Sequence, residues 1–550
     1  MTKRKFLTIS LSLIFMNILV LGQNPNRIYD IDDWITYKNC NYVTSLCETP
    51  EYVYFGTSGG IIPYHKFKRC FEDPITRSNG LSGDIIKSIC YDWTTGYLWV
   101  VHENGISYRN PSDRRWNNLP FTSIGITQPS NLLRIGSDGA YIWVQINGNE
   151  YIKLDKFVGY RLGKEIPHDS VHWSISSADY FRDYSAYTVD GNYQCYSDGM
   201  VVDPLFRKYS ISVFYVASDG KIYGGLTGGG IIIGDENTKF LSIKQLGPLN
   251  NNVTTVAVGR DRIFLGSSES TGYLFSQRTG VSSFDLNGYV WEYFESGYIF
   301  ELADKIVNKI CFNGESLVIG TSQGVVVYEI SRGLWDIEFL DKYLPDQKVI
   351  SLAFNDSLVF AGTEYGLLAF SLPYLKLEER ISTIPVYTNV LDMVINQNDL
   401  WIATSNGIYL INTSTGEMSH YDMYFKRIDN DDIVAFSVDA IEYSNGRVFY
   451  NRRQDLYLYN IENNKVVDLP TISSNKNLII LDMKVYDNYL CVATNDGIFM
   501  INLEDNYYEH LTIDDGIGGE LVYEVCFYND YLWLATNNGL TKFNWRKYYD

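Results

Sequence analysis

Histidine is scarce: six residues in 550, so a multi-histidine metal site would use up most of them. The eight cysteines form no C-x-x-C pair, and the ligand spacing of a zinc site is missing. H-E-x-x-H, G-x-S-x-G and P-loop motifs are absent, as is a sialidase-type Asp box. Positive charge is in short supply. Lys+Arg is 45 against 65 Asp+Glu, a formal charge of -20 that repels phosphate backbones and argues against a nucleic-acid partner. Beyond residue 21 no run is apolar enough to span a bilayer. What is present points to an ordered chain, with 45% hydrophobic and 20% charged residues. The 45 Tyr, 27 Phe, 11 Trp and 44 Gly favour strands and tight turns. The length suits two to four domains.

Residues 1–22 read as a secretory signal: Lys3, Arg4 and Lys5, then an apolar run from Phe6 to Leu21, with cleavage expected after Gly22. The first cysteine is Cys40, so no lipid-anchor cysteine follows the cut. An uncleaved anchor is the competing reading. The expected location is extracytoplasmic: periplasmic, cell-surface or secreted, with no membrane span after cleavage.

The remainder repeats itself. Leu400-Trp-Ile-Ala-Thr-Ser-Asn-Gly-Ile-Tyr-Leu410 has close copies starting at Val53, Leu98, Leu317, Leu490 and Leu532, and one longer by a residue at Leu358. In each, a short apolar strand runs into a small residue and, in most copies, a Thr. A two-residue turn with Gly and a second apolar strand follow, as in a tight hairpin. Another strand precedes each hairpin, as in Val307-Asn-Lys-Ile-Cys311. The turn glycines Gly60, Gly105, Gly229, Gly272, Gly324, Gly366, Gly407, Gly497 and Gly539 set a period of about 43 residues. Degraded units at Tyr141–Asn149, Tyr187–Tyr193 and Val448–Tyr459 bring the count to about twelve. Four strands per unit of this length make a β-propeller blade. The expected fold is all-β, with tandem propellers in two rings of six to seven blades. The domains are expected at 1–22 (signal), 23–290 and 291–550, and the terminal strands could close a shared blade.

The pattern Leu-Trp-Ile-[Ala/Gly]-Thr-x-x-Gly-[Ile/Leu] resembles the two-component-regulator propeller repeat of periplasmic sensor regions. The lead-in Asn79-Gly-Leu-Ser-Gly-Asp-Ile-Ile also looks like that family's. The chain is similar, too, to the propeller part of type IX secretion surface proteins. The resemblance implies a propeller that binds something. Those sensors continue into a β-sandwich, a membrane span and a kinase, and these are not found here.

Candidate sites compete with plain structural roles. Cys47, Cys90, Cys311 and Cys526 share one repeat position and read as packed thiols; Cys40 and Cys70 could pair. Asp30–Asp33 and Asp429–Asp432 lack the spacing of a calcium loop and read as turns. In propellers the turn between second and third strands borders the central channel. Here those turns supply His102, Glu103, Glu364, Tyr365, Asn495 and Asp496 as candidate binding residues. Trp291, in an irregular aromatic stretch with Tyr289, Tyr293 and Tyr298, is a further candidate, because sugar sites use exposed aromatic faces. No catalytic set, metal or cofactor is assigned. The leading expectation is a secreted, non-enzymatic propeller for a glycan or cell-surface protein, sensor-like or scaffolding. One alternative is a carbohydrate-active lyase or glycosidase, since carboxylates are plentiful. Another is a structural component of a secretion or surface complex, which a broad exposed apolar patch would favour.

Overall fold

The computed structural model describes residues 29–549, except 128–131, 147, 169, 179–181, 268–277, 289, 304, 373, 382–387, 423, 428–435, 474 and 476. The expected signal, Gly272, Tyr289 and Asp429–Asp432 lie outside the described residues. Among the described residues the chain is all strands, with a few single-turn 3-10 segments. Eleven antiparallel sheets follow one another, and we number them as blades 1–11. They span residues 43–71, 86–120, 132–164, 188–244, 253–295, 307–338, 351–377, 390–421, 441–468, 480–511 and 522–543. Among the described residues the sheets number eleven, against the expected count of about twelve. The degraded units at 141 and 448 head sheets of their own. Tyr187–Tyr193 does not; its Thr188–Val189 joins the outer edge of blade 4 in parallel pairing.

The repeat motif is a packing device. Second strands such as Asp399–Thr404 and Tyr489–Thr494 are buried from their second residue onward, because neighbouring blades cover both faces. This is why they read as continuous apolar runs and not as alternations. The threonine closes the hairpin. Thr494 Oγ1 donates to the Gly497 carbonyl at 2.9 Å and accepts from the Asp496 N–H at 3.1 Å. The same pair of bonds recurs at Thr57, Thr321, Thr363, Thr404 and Thr536. A fully buried hydroxyl is thus satisfied twice by its own turn. The glycine is needed for two reasons. Gly497 sits at φ +76, and a Cβ there would lie 2.1 Å from the Leu511 carbonyl of the outer strand.

The small residue before the threonine seats the next blade. A Cβ on Gly56 would meet Ile86 at 2.7 Å, one on Gly320 Val349 at 2.6 Å, and one on Gly362 Val390 at 2.5 Å. In each case the neighbour belongs to the inner strand of the following blade or its lead-in. Two blades break the order. Gly225 of blade 4 faces Val43 of blade 1, and Ala535 of blade 11 packs in one cluster with Val253 of blade 5. The inner strands of blades 5 to 11 are each in contact with the next, and that of blade 11 lies beside that of blade 5. In the remaining four blades, 4 lies beside 1, 1 beside 2 and 2 beside 3.

The chain enters through strand Trp34–Tyr37, which pairs with Gly539–Phe543 as the outer strand of blade 11. Trp34 stacks on Phe543 with ring centroids 3.8 Å apart. The chain then leaves to build blades 1–4 and returns to begin blade 5. The outgoing and returning segments cross tightly. Asn39 donates to the carbonyls of Pro248 and Leu249, and Cys40 N–H to that of Leu246. A Cβ on Gly247 would come 1.7 Å from the Lys38 carbonyl. The domain boundary expected at 290/291 falls inside Val290–Glu295, the outer strand of blade 5.

Among the described residues every cysteine is a free thiol. Cys40 is buried and donates to the Lys38 carbonyl, whereas Cys70 is exposed. Cys491 is fully buried. Burial pushes the Cys40, Cys90, Cys311 and Cys526 thiols up to about 12.

The turn argument separates two glycines. Gly497→Ala should cost about 2 kcal/mol or more, from left-handed strain together with the clash against Leu511. Gly446, at φ +73 with open space around its Cβ, should cost about 1 kcal/mol on the same substitution. Urea unfolding of both variants checks this; equal losses would discount the close approach.

Candidate functional site

The turn residues expected to bind a ligand are occupied by their own turns. His102 stands where six other blades place threonine, and it accepts the same turn N–H. Its Nδ1 accepts from the Asn104 N–H at 3.2 Å, and its Nε2 lies within bonding distance of Ser82 and Ser107. The ring is fully buried, and burial lowers its pKa to about 4. Glu103 accepts from the N–H groups of Asp84 and Ile85, bracing the lead-in to blade 2. Glu364 is exposed and Tyr365 half-buried, with the Tyr365 N–H held by Thr363. Asn495 braces the lead-in to blade 10 by bonds to the Ile479 N–H and the Asn477 carbonyl. The Asp496 N–H belongs to the threonine turn, and its carbonyl bonds His510 Nε2. These six residues sit on blades 2, 7 and 10, not at one site. Asp30 and Asp33 hold Lys547, at 2.6 and 2.9 Å, and so tie the two ends of the described chain together.

The two groups of blades differ at their centres. In blades 1–3 the inner edges are covered by a strap, residues 171–175. Its strand His172–Trp173 pairs with blade 3, Gly136 against Trp173. Ile175 then exchanges both backbone bonds with Leu46 of blade 1. Ser174 reaches Ser88 of blade 2 at 2.6 Å, and Arg134 stacks over Trp173. The irregular Trp173 is therefore part of this strap.

In blades 6 and 8–11 the inner strands supply charges instead: Lys309, Asp392, Glu442, Asp482, Lys484 and Glu524. Lys309 pairs with Glu524 at 2.8 Å, and Lys484 with Glu442 at 3.0 Å and Asp482 at 3.3 Å. The carboxylates also latch blades together. Asp392 accepts from the Ile441 N–H, Asp482 from Val525 and Glu524 from Val256, each at 2.9 Å. Burial pushes the Glu442 carboxyl up to about 7, against the pull of Lys484.

Trp291 alone among the expected residues lies at a large concavity. A groove of about 1720 Å³ runs between the outer strands of blades 1 and 4, the neighbouring part of blade 2, and the outer strands of blades 5 and 11. Its walls carry Tyr54, Tyr64, Arg69, Arg109, Trp291 and Tyr293. Trp291 stacks on Phe284 with centroids 4.6 Å apart, and the Tyr293 hydroxyl donates to the Gly247 carbonyl at 2.8 Å. Sequence reasoning missed the first four because they stand in regular repeats and their convergence depends on where blades 1–4 sit. Tyr298, the remaining irregular aromatic, lies near Arg207.

No family model and no curated protein matches the chain. Among solved structures it is similar to PorZ, an essential bacterial surface component of the type IX secretion system of Porphyromonas gingivalis. The TM-score is 0.55 at 13% identity, over 93% of this chain and 87% of that one. Two structures of the extracellular domain of BT4673 from B. thetaiotaomicron, described in one as a one-component and in the other as a hybrid two-component system, match with TM-scores of 0.42. They are 14% and 12% identical over 91% of this chain, and 70% and 75% of theirs. The likeness shows the fold. PorZ is of one of the two kinds that the sequence resembles.

The Glu442 shift has a sign. Its folded pKa of about 7 stands above the ordinary 4.5. The folded state therefore binds the extra proton, and this stabilisation is complete below about pH 4.5 and is lost as pH rises through 7. Urea midpoints between pH 4 and 8 should fall with pH, and Glu442→Gln should flatten the slope. An unchanged slope in the variant would remove Glu442 as the cause.

Proposed function

We propose that the protein is a non-enzymatic, extracytoplasmic β-propeller module that holds a partner in the groove between its two groups of blades. We assign blades 5–11, closed by Trp34–Tyr37, to one ring and blades 1–4 to a second unit inserted into it. The observation that carries the reading is the groove. It exceeds the roughly 300–1,000 Å³ of small-molecule pockets, and it combines aromatic faces with charged side chains on rigid outer strands. An extracytoplasmic place is supported by the basic and apolar N-terminus. Among the described residues no helix is long and apolar enough to cross a membrane.

A specific observation favours a scaffold role beside this one. Phe157, Val158, Tyr160, Leu162 and Ile166 are all exposed on the outer hairpin of blade 3 and just beyond it. Exposed apolar clusters of this kind mark protein contacts. The likeness to a secretion-system surface component agrees with that role.

A polysaccharide pull-down and glycan array with the mature chain, reading bound sugars and released products together, tests the first reading. Trp291→Ala should reduce any binding about tenfold with the unfolding midpoint little changed. Binding indifferent to Trp291→Ala would move the site out of the groove, and product release would defeat the non-enzymatic reading.

A further inference from the structure

The outer strand of blade 5 is the longest regular outer strand among the groove walls. Val290–Glu295 pairs with Gly280–Asp285 residue for residue over six positions, without a bulge. Propeller edges are commonly blunted by shortness, bulges or cover. Blade 1 ends in the two-residue strand Cys70–Phe71, and blade 3 shifts register at its outer pair. Blade 4 is covered by Thr188–Val189. Among the described residues, no backbone hydrogen bond reaches the free edge of Val290–Phe294. That edge offers a regular row of amide donors and acceptors along the groove.

The charge on the facing walls is uneven. Arg114 is matched by Asp32, Lys68 lies 3.9 Å from Glu72, and Lys244 3.9 Å from Asp190. Arg69 and Arg109 line the groove beside Tyr64 and Tyr54 and have no carboxylate within 4.0 Å among the described residues. Arg109 only rests over the Trp116 ring. In a chain of charge -20, two unmatched guanidiniums facing one groove invite carboxylates from outside. Glu51, Asp113 and Asp73, which accepts from the Tyr37 hydroxyl, also line the groove, so the acid-accepting positions are local to the two arginines.

We propose that the groove takes an extended polypeptide segment bearing acidic side chains, added as a further strand to the edge Val290–Glu295. Backbone pairing supplies affinity, and alternate side chains meet Trp291 and Tyr293 on one side and the arginines across the groove. A glycan has no comparable row of amides to pair with that edge. The inference rests on the groove being the binding surface.

The test pans a displayed library of random ten-residue peptides against the mature chain and measures the selected peptides by fluorescence anisotropy. Acidic, proline-free sequences should emerge. Arg69→Glu with Arg109→Glu should weaken them about tenfold or more, and N-methylation at alternate backbone positions of the peptide should do the same. No selected peptide, or binding indifferent to charge reversal or to N-methylation, overturns the proposal. Glycan binding that Trp291→Ala abolishes, with no peptide bound, overturns the peptide occupant and leaves the groove as the site. If neither glycans nor peptides respond to groove substitutions, both readings fall.

Discussion

The structure depends on the contact from one blade's inner strands to the next. A single four-stranded sheet of this size has two apolar faces and cannot bury either alone. In blades 1, 4, 5, 6 and 7 a bare glycine seats a β-branched residue of the neighbouring blade or its lead-in, where a Cβ would collide. In blades 8, 10 and 11 a carboxylate side chain accepts a backbone N–H from the following inner strand. The last of these, Glu524 to Val256, joins residues far apart in the chain and returns blade 11 to blade 5. Hydrophobic seating supplies most of the stabilisation, while the buried carboxylates fix the angle and register.

That constraint bears on why the proposed binding surface lies at the junction. In blades 1–3 the inner edges are consumed by a strap of the chain's own residues. In blades 5–11 the inner strands are engaged with one another through ion pairs and latches. Many of the turns around them are closed by buried threonines, or by His102 in a threonine's place. The proposed contact surfaces lie on the outside: the groove where two groups of blades meet, and the apolar hairpin of blade 3.

The junction itself follows from chain path. The N-terminal strand belongs to the last blade, so blades 1–4 leave from and return to nearly one point. Asn39, Gly247 and Lys38 make that crossing compact and hold the groove walls in place. Lys38 is further fixed by a buried ion pair to Asp84 at 2.5 Å.

Much of the fold was legible in the residues themselves. Hairpin spacing, turn glycines and continuous apolar strands are local features, and each describes its own blade through short-range geometry. The identity of His102 as a turn residue was legible too, since it occupies the threonine position of the motif. The number of sheets was not, because Tyr187–Tyr193 has turn chemistry but lacks an inner strand partner and joins blade 4. Nor was the order of blades. Whether Gly225 seats Val253 or Val43 is a choice between two similar valines, and only the closure of the whole assembly decides it. The groove lies further still from the sequence, because Tyr54, Arg69, Arg109 and Trp291 are unremarkable one by one. By itself the sequence determined the strands, the hairpins and the repeating unit. The tertiary structure alone decided which blades are neighbours and therefore which side chains face one another across the groove, because that depends on long-range packing that no local pattern encodes.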